Sequence, residues 1–133
     1  MPLPGVKVVL IDDSSTIRRS GEIFLNQAGC SVALAEDGFD GLSKVAEHQP
    51  DVIFVDTMMP RLDGYQTCAL LKNHPRFKNV PVIMLTSRDA LFERARGKLA
   101  GAGQYLLKPF DRKSLIEAVI MQIQEKKEAD RGD

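Results

Sequence analysis

Apolar positions along this chain recur on two periods, and the alternation of those periods predicts its elements. Val6–Ile11, Asp51–Val55 and Val80–Leu85 are nearly continuous apolar runs rich in β-branched residues, and Gln104–Leu107 is a shorter one. Ser31–Ala35 alternates instead, as a half-covered edge strand would. Pro81 falls near the start of its run, where a missing N–H matters least. Runs that are apolar on both faces predict a parallel sheet with helices on each side.

Helical spacing fills the gaps between these runs. Ile17, Gly21, Phe24 and Ala28 share one face, behind an N-cap at Ser14 or Ser15 and ahead of a closing Gly29. Phe39, Leu42 and Ala46 define a second helix capped by Asp37, and Tyr65 to about Lys72 a third, stopped by Asn73-His74-Pro75. Leu91, Phe92, Ala95 and Leu99 define a fourth, capped by Ser87 or Asp89 and ending near Gly101 or Gly103. Leu115, Ile116, Val119, Ile120 and Ile123 mark the last, entered through Asp111. Five strands, each followed by a helix, predict a (βα)5 three-layer α/β sandwich, because crossovers between parallel strands are right-handed. With the weakest run at an edge, the strand order 2-1-3-4-5 of flavodoxin-like folds fits.

Composition narrows the class further. At 133 residues the chain holds one core, and 44% hydrophobic with 27% charged residues fits a folded domain. The expected boundaries are a short extension over 1–5, the domain over 6–127 and a polar, frayed tail over 128–133. Lys+Arg and Asp+Glu number 18 each, so a net charge of zero gives no general attraction to nucleic acid or an anionic membrane. No apolar run approaches a membrane span, and Met1–Gly5 lacks the regions of a secretory signal. The expected location is therefore cytoplasmic. Cys30 and Cys68, with no partner motif, are expected to be reduced, buried thiols.

Ligands of an open parallel sheet bind outside the carboxyl ends of its strands. Asp12-Asp13 follows the first run, Asp56 the third, Thr86-Ser87 the fourth, and Lys108-Pro109 the fifth. Singly, each has an ordinary explanation, since an Asp or Thr after a strand often caps a helix and a lone Lys is often solvated. Their convergence does not. Two carboxylates 4 Å apart repel by ~4 kcal/mol at an effective dielectric of 20, so folding would gather three only around a cation. Hard oxygen ligands without His or Cys point to Mg²⁺, with Mn²⁺ able to substitute. A divalent ion beside the Lys108 ammonium and the Thr86 hydroxyl is an apparatus for a phosphoryl group. Asp56, at the end of the central strand, is the candidate acceptor, since carboxylates form acyl phosphates. Asp13 would then coordinate the metal directly and Asp12 through water, with the backbone carbonyl of Met58 as a further ligand.

Asp12-Asp13, Asp56, Thr86 and Lys108-Pro109-Phe110 together resemble the motif set of two-component response-regulator receiver domains, the CheY-like family. Met59-Pro60-Arg61-Leu62-Asp63-Gly64 and Asp37-Gly38 extend the resemblance, which runs from about Val6 to Lys126. It implies phosphorylation of Asp56 by the phosphohistidine of a sensor histidine kinase or phosphotransfer domain. It also implies Mg²⁺ on Asp12, Asp13, Asp56 and the Met58 carbonyl, Lys108 on the phosphoryl oxygens, and a cis peptide before Pro109. Thr86 and Tyr105 correspond to the family's switch pair, which would reshape the surface of the fourth helix, fifth strand and fifth helix. Met58 and Arg88 occupy positions that flank an attacking water, so both are expected to lengthen the life of the acyl phosphate.

A narrower resemblance links Phe54–Leu70 and Gly38-Phe39-Asp40-Gly41 to twitching-motility response regulators of type IV pilus chemosensory systems. No effector segment is recognisable after the last helix, so the expected output is a downstream protein docking on the switching surface. Arg88, Arg94, Arg96 and Lys98 give the fourth helix positive charge that is either a solvated face or a docking patch. A monomer is expected, with dimerisation on phosphorylation left open. His48 and His74 are expected to have no catalytic role. Rival readings are a phosphate sink, a phosphorylation-independent interaction module, a Mg²⁺-dependent phosphohydrolase of haloacid dehalogenase type, and a flavin-binding flavodoxin. The hydrolase lacks its general acid, because Met58 stands two residues after Asp56. The flavodoxin would need a donor-rich first loop where Asp12-Asp13 stands.

Overall fold

The computed structural model describes residues 3–87 and 100–131. Five strands, β1 (Lys7–Ile11), β2 (Ser31–Ala35), β3 (Val52–Asp56), β4 (Val82–Thr86) and β5 (Gln104–Leu107), form one parallel sheet in the order β2-β1-β3-β4-β5. Four described helices accompany it: α1 (Ser15–Gln27), α2 (Gly38–His48), α3 (Gly64–Lys72) and α4 (Arg112–Arg131). The helix expected from Leu91 to Leu99, with Arg88, Arg94, Arg96 and Lys98, lies outside the described residues. The topology and the edge position of β2 are as the periodicity predicts.

The period of two along each strand divides the core into two layers. Val8, Leu10, Val52, Phe54, Ile83 and Leu85 face Leu25 of α1 and Leu115, Ile116 and Val119 of α4. Val9, Ile11, Ile53, Val55, Val82 and Met84 face Val45 of α2 and Cys68 and Leu71 of α3. Each fully buried side chain of this size contributes ~1.5–3 kcal/mol, so the three central strands anchor the loops that leave them. Cys30 and Cys68 are free and buried, and burial pushes both thiols up to about 11, leaving them unreactive.

Caps start the helices where the sequence suggests. Ser14 accepts from the Ile17 amide and Asp37 from the Asp40 amide. Asp111 accepts from the Ser114 amide at the head of α4. Asp63 forms a full capping box with Gln66, fixing where α3 begins. At its far end α4 stays helical through Arg131, beyond the point where a frayed tail is expected. Periodicity cannot show this extension, because it carries no apolar residue facing the core. A Lys126–Asp130 pair, 3.5 Å apart at i,i+4 spacing, supports it instead.

Two glycines allow close approach near the ends of the sheet. A Cβ on Gly21 would stand 2.4 Å from Leu10 Cδ2, so α1 lies unusually close to β1. A Cβ on Gly64 would stand 2.1 Å from the Asp56 carbonyl oxygen, which no rotamer can relieve. The first residue of α3 thus rests on the backbone of Asp56.

Candidate functional site

The carboxyl ends of β1, β3, β4 and β5 bring five of the predicted residues to one edge. Asp12 follows β1 and is fully buried, Asp56 closes β3 at 2% exposure, and Asp13 is exposed at the rim. One carboxylate oxygen from each lies within 4.8 Å of the others. Lys108, just beyond β5, places its Nζ 3.1 Å from Asp12 Oδ2 and 3.0 Å from Asp56 Oδ1. One ammonium therefore serves two buried carboxylates, while the third stays in water.

That imbalance shows in the proton affinities. Burial, followed by the negative charge of Asp12, raises the Asp56 carboxyl to about 7, against the opposing pull of Lys108 and the Met58 amide. Burial works against the Lys108 charge, but hydrogen bonding to Asp56 and the charges of Asp12 and Asp56 prevail and hold its ammonium above the usual range. Each carboxylate has one amide donor besides Lys108, but distributed differently. Asp12 Oδ1 accepts from the Ser14 amide at 2.8 Å while Oδ2 meets Lys108. Asp56 Oδ1 takes both the Met58 amide, at 3.2 Å, and Lys108.

Thr86, the last residue of β4, is buried, and its Oγ1 has no hydrogen-bond partner among the described residues. Leaving a buried hydroxyl unsatisfied costs ~1–3 kcal/mol, so an acceptor oxygen brought to this edge would be favoured there. Its neighbour across the ladder is β5, where Leu107 pairs with Thr86 and Tyr105 with Met84. Acids, ammonium and hydroxyl thus all stand at the C-terminal edge of the sheet.

A family model of the response regulator receiver domain matches residues 8–120. The chain belongs to the response-regulator receiver family. Protein PilG of Pseudomonas aeruginosa is 57% identical over 115 residues, covering 86% of this receiver domain and 85% of PilG. Response regulator MprA of a Mycobacterium species is 40% identical over 111 residues, covering 84% of this chain and 47% of MprA, so the chain spans about half of that relative. Among solved structures, chemotaxis response regulator CheY4 of Vibrio cholerae aligns with a TM-score of 0.84 at 31% identity, covering 89% of this chain and 98% of that one.

Met58 and the Lys108–Pro109 peptide follow the carboxyl ends of β3 and β5 in the receiver domain, and Tyr105 lies within β5. Met58 follows β3 with its side chain 68% exposed, and the Lys108–Pro109 peptide is cis. Tyr105 is half-buried against the α2–α3 side of the core. Arg88 lies outside the described residues. His48 Nε2 sits 2.9 Å from the Ser31 carbonyl and His74 stacks on Phe77, so neither reaches the site.

Sequence reasoning misses two contacts of the receiver domain. Arg18 Nη1 donates to the main-chain carbonyl of Asp12 at 2.7 Å. Arg61, with φ of 69°, pairs with the α2 cap Asp37 at 3.0 Å and ties the loop after β3 to the loop after β2. The first is a local contact whose donor is a long side chain with many rotamers, and the second depends on how two loops cross in space; spacing encodes neither. No described helix is long and apolar enough to cross a membrane.

Proposed function

We propose that this receiver domain is a phosphorylation-activated signalling switch in which Asp56 is the acceptor. The observation that carries the reading is the Lys108 ammonium held at 3.0–3.1 Å from both Asp56 and Asp12, beside a third converging carboxylate. The donor set fits a hard divalent cation: among the described residues, carboxylate oxygens of Asp12, Asp13 and Asp56 gather without any His or Cys in the group. The Met58 carbonyl, two residues after Asp56, supplies a further oxygen. Mg²⁺ suits these ligands best, with Mn²⁺ able to substitute, and when bound it would neutralise charge on the phosphoryl oxygens.

The chain's own residues then divide the work. An Asp56 carboxylate oxygen bonds to phosphorus as the P–N bond of a donor phosphohistidine breaks, and the electron pair returns to the imidazole. Lys108 keeps a fixed positive charge beside the transferred group. The Thr86 hydroxyl gains the partner it lacks once its loop moves inward, and Tyr105 follows into the vacated space. A gain of ~2–3 kcal/mol changes the ratio of two such states about 30- to 150-fold. The surface altered is that of β5 and α4 with the helix expected around Leu91–Leu99, and a downstream protein reads it there.

The donor is a sensor histidine kinase or phosphotransfer domain, and the chain performs no turnover beyond its own phosphorylation and dephosphorylation. The likeness to PilG supports a role in type IV pilus or twitching control, exercised in the cytoplasm. Met58 and Arg88 shield the acyl phosphate from water.

Incubation with Mg²⁺ and acetyl phosphate tests the core of this reading. Intact mass should rise by one phosphoryl unit in the wild type and stay constant in Asp56→Asn. An unmodified wild type, or modification of both proteins, overturns it.

A further inference from the structure

Helix α1 carries its charge against the usual preference. Its first turn holds no acidic residue and its last turn no basic one, while Arg18 and Arg19 stand near its N-terminal end. The partial positive charge there disfavours nearby cations by ~0.3–1 kcal/mol each. Arg18 has a contact that offsets this. Its half-buried guanidinium donates to the Asp12 carbonyl at 2.7 Å, a charge-assisted bond of the stronger kind.

That carbonyl belongs to the peptide unit joining Asp12 to Asp13. The Asp12 side chain is fixed independently by Ser14 and Lys108, and the Asp12 amide donates to Ala35 at 3.0 Å. Asp13 is different. Its carboxylate is exposed and has no side-chain hydrogen bond or ion pair among the described residues. Only the main chain places it within reach of Asp12 and Asp56, and the peptide unit that enters it is the one Arg18 grips.

We propose that Arg18 is a positioning residue for divalent-cation binding: by holding the Asp12–Asp13 peptide unit it sets where the unpartnered Asp13 carboxylate stands. This rests on the reading that the acidic trio seats such a cation, and it names the residue outside the trio that preorganises it.

Charge and position predict opposite signs, which makes the inference testable. As a positive charge near a cation site, Arg18 repels the ion, so deleting it would tighten binding. As a grip on the turn, it spares the ion the cost of ordering Asp13, so deleting it loosens binding. The single short bond to a buried carbonyl favours the second effect. Lys at this position keeps the charge and one donor but loses the planar fork.

Calorimetric titration of Mg²⁺ into metal-free wild type, Arg18→Ala and Arg18→Lys separates these effects, each variant being checked for cooperative unfolding. We expect Arg18→Ala to bind about fivefold more weakly, ~1 kcal/mol, with Arg18→Lys recovering part of the loss. At saturating Mg²⁺ the rate of Asp56 phosphorylation by acetyl phosphate should return to the wild-type value in both variants. Equal or tighter Mg²⁺ binding in Arg18→Ala overturns the inference, as does a rate that saturating Mg²⁺ fails to restore. Should Arg18→Ala not fold, an Arg18→Lys affinity at or above wild type decides against it equally. A wild type that takes up no Mg²⁺ removes the cation reading itself and this inference with it.

Discussion

The raised proton affinity of Asp56 should be visible in the stability of the metal-free protein. In the folded state burial and Asp12 bring this carboxyl to about 7, whereas the unfolded chain leaves it near 3.8. Between those values the folded protein keeps a proton that the unfolded chain has released, so unfolding is increasingly favoured as pH rises. The contribution is fully present below about pH 4, is lost between about pH 4 and 7, and is level above that. Each decade of difference corresponds to ~1.4 kcal/mol, so the loss is at most ~4 kcal/mol, a large share of a domain's usual 5–15 kcal/mol. Urea unfolding in EDTA, followed by circular dichroism from pH 4.5 to 8, reads it. Asp56→Asn removes the titrating group while leaving every other carboxylate in place. The stability of wild type relative to Asp56→Asn should therefore fall steadily over that range, and should fall less with Mg²⁺ present, because a bound cation favours the ionised carboxylate. A relative stability that stays flat or rises with pH in EDTA would refute the placement of Asp56 in an acidic, desolvated pocket.

Other perturbations have separate readouts. Lys108→Ala leaves Asp12 and Asp56 facing each other without their ammonium; since breaking a buried pair costs 3–5 kcal/mol and Lys108 is partly exposed, a loss of roughly 2–3 kcal/mol at pH 8 is expected in urea melts. Gly64→Ala drives a Cβ against the Asp56 carbonyl oxygen, so it should lower the thermal midpoint and slow acetyl-phosphate labelling together; a normal midpoint with normal labelling would contradict the close approach. Met58→Asn replaces a 68% exposed thioether with a group that can hydrogen-bond water, and phospho-Asp56 should decay several-fold faster; an unchanged half-life sinks the shielding role. Thr86→Ala should leave the unfolding free energy level or raise it, because relief of an unsatisfied buried hydroxyl, ~1–3 kcal/mol, outweighs the ~0.8 kcal/mol of the lost methyl, yet abolish the phosphorylation-dependent gain in partner affinity that Thr86→Ser preserves.

Much of this was legible because polarity and position coincide at strand ends. Asp12, Asp56, Thr86 and Lys108 each interrupt or follow an apolar run, and a parallel sheet carries all such points to one edge. The same feature blurs the boundaries. Asp56 pairs with Leu85 inside the ladder and Thr86 pairs with Leu107, so β3 and β4 each run one residue past the last apolar position. β4 also starts later than its apolar run, at Val82, because Pro81 has no amide; its carbonyl still accepts from Ile53 at 3.0 Å. The Asp63–Gln66 capping box that starts α3 has no counterpart in the sequence reading, which assigns that helix no cap, although its spacing of an acid followed three residues later by Gln matches the pattern. The contacts of Arg18 and Arg61 were not legible. Arg18 folds back on the turn that leads into its own helix, a choice among many side-chain rotamers, and Arg61 meets the loop after β2, which only the tertiary fold brings beside it.

The resting site is poised because two of its costs have a common remedy. Three carboxylates face one ammonium, which leaves an excess of negative charge that a divalent cation would cancel. One strand away, a buried hydroxyl lacks a partner at a cost of ~1–3 kcal/mol. On the proposed reading, a phosphoryl group on Asp56 would bring acceptor oxygens to the sheet edge that Lys108 and Thr86 share. The energy that hydroxyl would recover is of the same order as typical coupling between two sites, ~1–3 kcal/mol. If Thr86 switches as proposed, stability and response are opposed at this position: any side chain that satisfied its hydroxyl in the resting state would strengthen the fold and weaken the drive to a second state.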